Sequence, residues 1–273
     1  MIPSFLLALR EGLEAALIIG IVLGVLQKMN KTGLKPVVWR GVAAAALLCA
    51  AVAVGLNTLG AEFEGRGEQI FEGVVMFLAA GVLTWMIFWM QRQSRTLKRD
   101  IQDQTSQALG QNSHRAIFAL AFLAVFREGV ELALYLLAAR FASSPLQTIS
   151  GAVLGLAGAA VLGWLLFNSS RRLNLQQFFR VTNILLIFFA AGLVGLGVHE
   201  FNEAGWIPAV IEHVWDVNPI VSDQSTLGQV LKALFGYNGN PSLTEVAAYL
   251  GYFAFIVTAL RPRKLAGQAV AAG

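Results

Sequence analysis

Charged side chains are scarce in this sequence, and their scarcity is the first constraint on its class. Only 13% of the 273 residues are Asp, Glu, Lys or Arg, whereas 56% are hydrophobic and the mean hydropathy is +0.64. A soluble domain carries about twice that charged fraction. The composition therefore excludes an ordinary soluble protein and favours one that lies in a lipid bilayer.

Cysteine and histidine are almost missing as well. One Cys and three His exclude an intrachain disulfide, a thiolate metal site, a pair of haem-attachment cysteines and a His-rich copper cluster. We expect Cys49, which lies in an apolar segment, to serve packing. Nothing in the chain therefore resembles an oxidase. We also expect a protein that is not an enzyme, with no permanently bound cofactor and no nucleic-acid partner.

Long apolar runs are what the sequence does have. Seven segments reach or approach the roughly 20 residues needed to cross the hydrocarbon. The first lacks a basic region before its apolar core and carries charges inside it, so it is predicted to be a mature helix and not a signal peptide. The predicted fold class is an all-α polytopic membrane protein with seven transmembrane helices at 3–27, 37–58, 69–91, 114–140, 147–168, 178–199 and 244–261.

Basic residues are concentrated in every second connection between the apolar segments. They gather after the first, third and fifth segments and in the tail, at Lys28, Lys31, Lys35, Arg40, Arg92, Arg95, Lys98, Arg99, Arg115, Arg171, Arg172, Arg180, Arg261, Arg263 and Lys264. The other connections hold only Arg66, Arg140 and Lys232. The positive-inside rule then predicts an N-terminus outside and a C-terminus inside.

Two near-identical charged motifs interrupt the apolar runs. Arg10-Glu11-Gly12-Leu13-Glu14 lies in the first segment, and Arg127-Glu128-Gly129-Val130-Glu131 lies 117 positions later in the fourth. A second short match links 77–83 of the third segment to 188–194 of the sixth. The pattern predicts two three-helix repeats, which must insert in opposite directions because three is odd; such repeats place transporter sites near the bilayer midplane.

The predicted organisation follows from these repeats. Residues 1–91 form the first repeat, 92–113 a polar cytoplasmic connector with a short helix, and 114–199 the second repeat. Residues 200–243 form an extracytoplasmic amphipathic link, and 244–273 the seventh helix with a cytoplasmic tail. The link has apolar spacings that predict two short interfacial helices, one around Trp206–Trp215 and one around Leu227–Phe235.

Helical geometry places the charged residues of each motif on one face. At 100° per residue, Arg10, Glu14 and Glu11 fall at roughly 0°, 40° and 100° on a helical wheel. Gly12 and Gly129 fall on the opposite face, where the missing side chain lets another helix approach closely. We predict that Glu11, Glu14, Glu128 and Glu131 form an oxygen-ligand metal site, with Arg10 and Arg127 keeping the carboxylates ionised and oriented.

A structural interpretation competes with the metal site. Each Arg could simply neutralise the Glu four residues later, giving buried ion pairs that hold helices together. Such pairs contribute little net stability compared with apolar residues, and this interpretation leaves Glu11 and Glu128 without a partner in their own motifs. The motifs sum to −2 when ionised and contain no Cys or His, which suits Fe³⁺, Mg²⁺, Ca²⁺ or Mn²⁺ and leaves the choice open.

Acidic residues also mark the predicted outer side. Carboxylates near an entrance raise the local concentration of cations. The entrance candidates are Glu62, Glu64, Glu68, Glu72, His199, Glu200 and Glu203. The alternative interpretation is that these are ordinary solvated residues of the loops.

The doubled Arg-Glu-Gly-x-Glu motif in a seven-span chain resembles the oxidase-dependent iron permease family, also called the iron/lead transporter family. The likeness runs from Met1 to about Leu260 and is closest to the bacterial EfeU-type ferrous iron permeases; 9–17, 71–73, 83–85 and 203–205 share it. The resemblance implies iron uptake across a bacterial inner membrane, with the four motif glutamates as iron ligands. It also implies a partner on the outer side that binds iron or oxidises Fe²⁺, so that Fe³⁺ enters.

Two other functions remain open from the residues alone. The carboxylates could do acid–base work in a membrane-embedded metalloenzyme, or the same fold could carry another divalent metal or an organic cation. The sequence leaves open the oxidation state at the site, the energy coupling, the selectivity against other metals and the oligomeric state.

Overall fold

The described part of the chain is entirely helical in its regular structure, with no β-strand, in this computed structural model. It comprises residues 1–61, 63–93, 97–110, 113–141, 143–168 and 175–260. The helices are α1 (Ile2–Lys28), α2 (Lys35–Ala61), α3 (Arg66–Gln93), α4 (Leu97–Gly110), α5 (Ser113–Phe141), α6 (Pro145–Asn168), α7 (Leu175–Glu203), α8 (Thr226–Phe235) and α9 (Leu243–Leu260). Glu62, Arg95, Arg171, Arg172 and the basic tail residues lie outside the described residues.

Local sequence signals explain where several helices begin and end. Pro3 in α1 and Pro145 in α6 occupy first turns, where the missing N–H costs nothing. Ser225 caps α8 by accepting a hydrogen bond from the Gly228 N–H, and Gly236 ends it in the left-handed conformation at φ 66°.

Within the part of the chain that the structure describes, five helices are long and apolar enough to cross a membrane. They are Thr32–Thr58, Arg66–Trp89, Pro145–Leu166, Arg180–Glu203 and Leu243–Leu260. The helices that carry the motifs, α1 and α5, have 27 and 29 residues and thus sufficient length. Their motif charges lower their apolar character, so the predicted total of seven spans remains a prediction.

Helix pairing places the two motif helices at the centre. α1 packs most extensively against α6, α2 against α5, and α3 against α7, while α1 and α5 also contact each other. The glycine prediction is confirmed. A Cβ on Gly12 would lie 2.7 Å from the Ala159 Cβ of α6, and one on Gly129 would lie 2.5 Å from the Cys49 Sγ of α2. Cys49 therefore serves packing, as predicted.

The connector helix α4 is not polar all round. Ile101 and Thr105 are buried, and Ile101 joins an apolar cluster with Val22 and Leu26 of α1 and Ile117 of α5. The sequence analysis considered only the charges of this segment and therefore missed the two buried positions, which are one helical turn apart. α4 therefore covers the end of the bundle where α1 ends and α5 begins, which we call the α4 end.

The link between α7 and α9 contains one helix, so the prediction of two is wrong. Residues 204–225 form turns and irregular backbone. Positive φ angles at Gly205 and Val210 interrupt helical geometry there, and the Val217 N–H donates to the Gly239 carbonyl instead. The second predicted helix is α8. It packs inward, because a Cβ on Gly236 would lie 2.1 Å from the Gly192 Cα in α7.

Candidate metal site

Three of the four motif glutamates meet in the interior. Glu11 of α1 and Glu128 and Glu131 of α5 each place one carboxylate oxygen so that the three atoms lie within 4.8 Å of one another. All three side chains are buried. The second oxygens, Glu11 Oε2 and Glu128 Oε2, have no hydrogen-bond partner among the described residues. We call these three residues the carboxylate cluster.

Arg10 is fully buried and forms ion pairs with both acidic residues of its own motif. Its Nη1 donates to Glu11 Oε1 at 2.9 Å, and its Nη2 lies 3.1 Å from Glu14 Oε1. The expectation that Glu11 lacks a partner in its motif is therefore wrong. The arginine side chain is long enough to reach a neighbour at i+1 as well as one at i+4. Each of its two terminal guanidinium nitrogens therefore contacts one of the two carboxylates.

Arg127 has a different environment, although its motif is nearly the same. Its Nε donates to Glu131 Oε1 at 3.1 Å and lies 3.9 Å from Glu128 Oε1. The side chain is 37% exposed, and its guanidinium carbon lies 4.2 Å from the centre of the Trp89 ring. One motif arginine is thus enclosed, whereas the other borders open space.

Glu14 is not part of the carboxylate cluster. It is buried beside Arg10 and lines a cavity of about 290 Å³ at the α4 end. Glu128, Arg127 and Trp89 line the same cavity, together with Asp100 of α4. Glu128 therefore belongs to the cluster and also lines the cavity, whereas Glu14 lines the cavity and lies within electrostatic reach of Glu128 and Glu131.

Tyr135 and Met86 belong to this region, and the sequence analysis missed both. The Tyr135 hydroxyl donates to Glu131 Oε2 at 3.4 Å and lies 3.9 Å from Met86 Sδ. Met86 Sδ in turn lies 2.8 Å from Arg10 Nη1. Tyr135 follows Glu131 by four residues, which a helical wheel would have placed on the same face. Met86 comes from α3, and no local pattern indicates its position.

Two of the entrance candidates line a second cavity at the other end of the bundle. Glu68 and Glu72 of α3 lie there with Arg140 of α5, again around a volume of about 290 Å³. Arg140 also donates to the Asn57 side-chain oxygen. Lys232 of α8 is close enough to attract the Glu72 carboxylate. This second cavity therefore combines two carboxylates with two basic side chains.

His199 and Glu203 belong to a hydrogen-bonded network and do not face either cavity. His199 Nε2 lies 3.2 Å from Glu203 Oε1, and His199 Nδ1 lies 3.1 Å from Glu245 Oε1. Gln69 Nε2 donates to Glu203 Oε2 at 3.0 Å. Glu245, which the sequence analysis missed, is buried and also accepts from Asn238 at 2.8 Å. This network joins α7 to the start of α9.

The remaining entrance candidates are Glu200, Glu64 and Glu62, and Glu200 lies within electrostatic reach of Glu72 and Glu68. Glu200 is partly buried, within electrostatic reach of Glu203 and Lys232. Glu64 is exposed in the connection before α3, and Glu62 lies outside the described residues. Among the described residues, the predicted outer group thus consists of the cavity pair Glu68 and Glu72 with Glu200 near them, the network pair His199 and Glu203, and the exposed Glu64.

Comparison of the sequence with known proteins identifies a family and several relatives. The model of the iron permease FTR1 family matches residues 1–267. The chain is 38% identical to the ferrous iron permease EfeU of Shigella sonnei (strain Ss046) and to the putative inactive ferrous iron permease EfeU of Escherichia coli (strain K12). Each of these alignments spans 267 residues, 96% of this chain and 97% of the relative.

A third relative extends the match to the whole chain. The ferrous iron permease EfeU of Yersinia pestis is 36% identical over 276 residues, covering 100% of this chain and 98% of the relative. No solved structure matches the chain significantly. The family match, together with the apolar helices, makes this a multi-pass membrane protein. The chain belongs to the iron permease FTR1 family.

Proposed function

We propose that this protein is an iron uptake permease, with the carboxylate cluster as the site through which iron crosses the membrane. The observation that carries the proposal is the meeting of Glu11, Glu128 and Glu131 in the interior, where two carboxylate oxygens have no hydrogen bond to any described residue. Buried carboxylates that share a site repel one another. A metal cation removes that repulsion and supplies the missing partners.

The charge balance suits a cation of this kind. The four motif glutamates and two motif arginines leave an excess of two negative charges when all are ionised. Oxygen ligands without thiolate or imidazole suit a hard cation such as Fe³⁺, and also admit divalent ions. In this proposal Glu11, Glu128 and Glu131 are the ligands and Glu14 is the next ligand along the path. Arg10 and Arg127 hold the carboxylates in place.

The proposed membrane arrangement has seven spans, with α1 and α5 as the first and fourth. The observed pairings support inverted repeats. Exchanging α1 with α5, α2 with α6 and α3 with α7 converts the α1–α6 pair into the α5–α2 pair and keeps the α3–α7 pair. The glycine contacts follow the same exchange, because Gly12 packs on α6 and Gly129 on α2. Two cavities, one toward each end of the cluster, are the layout expected for alternating access.

In this proposal the α4 end lies in the cytoplasm and the cavity of Glu68 and Glu72 lies outside, in a bacterial inner membrane, because basic connections favour the cytoplasmic side. Family likeness adds an outer partner that binds iron or oxidises Fe²⁺, so that Fe³⁺ enters. Relatives named as permeases support transport and not catalysis.

Uptake into sealed liposomes tests this proposal. Purified protein should accumulate iron inside vesicles, measured once with Fe²⁺ held by a reductant and once with ferric citrate. Glu11→Gln and Glu128→Gln should each lower uptake more than tenfold, whereas Glu212→Gln, an exposed residue of the α7–α9 link, should not. Wild-type uptake by both cluster variants would refute the carboxylate site. Chemical conversion of a substrate on one side without iron accumulation would instead favour a metalloenzyme.

A further inference from the structure

Met86 contacts both motif helices, although it belongs to neither of them. It comes from α3 and is 1% exposed, in the same apolar core as Leu83 and Ile87. Its Sδ lies 2.8 Å from Arg10 Nη1 of α1 and 3.9 Å from the Tyr135 hydroxyl of α5. One side chain of α3 therefore contacts a polar group from each motif helix.

Each of these two polar groups holds a member of the carboxylate cluster. Arg10 Nη1 donates to Glu11 Oε1 at 2.9 Å, and the Tyr135 hydroxyl donates to Glu131 Oε2 at 3.4 Å. The Met86 sulfur is thus separated from Glu11 and from Glu131 by a single donor group in each case. It joins the part of the cluster on α1 to the part on α5.

Arg10 depends on this sulfur for its orientation. A guanidinium carries five N–H donors, and that of Arg10 has no exposed surface. Its Nη1 donates to Glu11 Oε1 and to Met86 Sδ, whereas Nε and Nη2 have no hydrogen-bond partner among the described residues. The ion pair of Nη2 with Glu14 contributes charge without a directed bond. The thioether is therefore one of two acceptors that orient this buried cation.

The two acceptors of Nη1 differ in what a bound metal does to them. Glu11 Oε1 is an anionic oxygen that a metal cation competes for, whereas the Met86 thioether is a weak, uncharged acceptor. Nη1 lies at nearly the same distance from both, 2.9 and 2.8 Å. It can therefore keep its contact with the sulfur while Glu11 binds an ion. A thioether also adds no negative charge that would retain the ion.

We propose that Met86 is a positioning residue of the carboxylate cluster, which holds Arg10, and through Arg10 the ligand Glu11, in the geometry that binds iron. The contact with the Tyr135 hydroxyl connects the same sulfur to Glu131. One residue of α3 thereby acts on ligands from both motif helices. This inference rests on the proposed transport function and adds to it a residue outside both motifs.

The alternative role for Met86 is to fill space between the helices. Exchanges between Met and Leu conserve volume and are well tolerated in apolar cores, so Met86→Leu removes the sulfur and keeps the packing. Met76 provides the matched control, because it lies on the same helix, is also 1% exposed and belongs to the same apolar core. Met86→Gln provides the rescue, because its amide oxygen is again an uncharged acceptor.

Iron binding by the full-length protein in detergent tests the role. Equilibrium dialysis with Fe²⁺ under a reductant, repeated with ferric citrate, gives the Kd. Met86→Leu should raise the Kd roughly three- to tenfold, as expected for the loss of one hydrogen bond, while its thermal midpoint without iron matches that of Met76→Leu. Met76→Leu should keep the Kd of the wild type, and Met86→Gln should recover most of the lost affinity.

A double variant tests whether Met86 acts through Arg10. Arg10→Lys keeps the charge but lacks the planar fork that divides between partners. Adding Met86→Leu to Arg10→Lys should therefore raise the Kd much less than Met86→Leu does alone. If Arg10→Lys does not fold, the comparison of Met86→Leu with Met86→Gln decides, because a space-filling role would not be rescued by a polar acceptor.

The remaining outcomes would contradict the inference. If Met86→Leu has the Kd of Met76→Leu, or if the effects of Met86→Leu and Arg10→Lys simply multiply, Met86 does not position Arg10. A lower thermal midpoint with an unchanged Kd would show a packing role only. In these cases the transport function still stands if Glu11→Gln abolishes uptake. If the wild-type protein neither binds nor moves iron, the proposed function fails, and the role of Met86 fails with it.

Discussion

The guanidinium carbon of Arg127 lies 4.2 Å from the centre of the Trp89 ring and 5.9 Å from that of Trp85. Its counterpart Arg10 has no exposed surface and instead contacts the thioether of Met86. The two motifs are therefore equivalent in sequence and unequal in surroundings. The inequality places Arg127, and not Arg10, beside the cavity through which we propose that the ion leaves.

Removing the Trp89 ring should disturb transport more than removing the Trp85 ring. Trp89→Leu should lower the initial uptake rate by roughly two- to thirtyfold, since a cation–π contact is worth about 0.5–2 kcal/mol. Trp85→Leu should change it less than twofold, because that ring is farther from the cation and more than half exposed. If the two variants lower liposome uptake equally, the cation–π contact between Arg127 and Trp89 does not contribute to transport.

Removing Arg10 should destabilise the protein, because two buried carboxylates would lose their shared cation. Breaking a buried ion pair by deleting one partner costs about 3–5 kcal/mol. We expect Arg10→Leu to lower the thermal midpoint in detergent strongly. Adding Glu14→Gln should recover part of the midpoint but not iron uptake. A full recovery of uptake in the double variant would mean that Arg10 and Glu14 act only as a structural pair.

The Tyr135 hydroxyl should support iron binding through Glu131. Tyr135→Phe removes the donor to Glu131 Oε2, and hydrogen bonds to charged groups contribute about 1.5–3 kcal/mol. We expect the Kd for iron to rise at least threefold. Tyr252→Phe is the control, because that hydroxyl pairs with Thr84 and not with the cluster. Indistinguishable affinities in the two variants would show that Tyr135 only fills space.

Much of this arrangement could be predicted from local sequence patterns. Hydrophobic runs gave helices whose ends agree with the structure to within four residues, and the helical wheel correctly placed Gly12 and Gly129 on packed faces. The wheel cannot decide which residues from different helices meet. It treated Glu14 as the equivalent of Glu131, whereas the structure brings Glu131 to the cluster and leaves Glu14 beside the cavity. Met86 and Asp100 come from α3 and α4, which carry no motif.

Glycine at position 129 should be required for the contact between α2 and α5. Gly129→Ala puts a methyl group 2.5 Å from Cys49 Sγ, and overpacking of this kind costs about 1–3 kcal/mol. We expect a lower thermal midpoint in detergent, which Cys49→Ala in the same chain should restore. Gly55→Ala has open space and should leave the midpoint unchanged. If Cys49→Ala does not restore the thermal midpoint, the steric strain caused by Gly129→Ala does not arise at the contact with Cys49.

The capping box at the start of α9 should hold the α7–α9 link in place. Ser242 and Glu245 exchange hydrogen bonds, with the Ser242 N–H donating to Glu245 Oε1 and the Glu245 N–H donating to Ser242 Oγ, both at 3.2 Å. The same carboxylate binds His199 and Asn238, so one side chain joins the link to two helices. The spacing Ser-x-x-Glu is readable in the sequence, although the contact with His199 is not.

Glu245→Gln should therefore loosen the link without unfolding the bundle. The amide is isosteric but loses the charge that strengthens three hydrogen bonds, and each such bond contributes about 1.5–3 kcal/mol. We expect faster hydrogen exchange and earlier proteolysis within residues 204–242, with unchanged protection of α2 and α5. Glu212→Gln, in the same link but exposed, should behave as wild type. Because α8 lies beside Glu72 through Lys232, a loosened link should also change the concentration of iron that half-saturates uptake, which a simple capping role would leave unaltered.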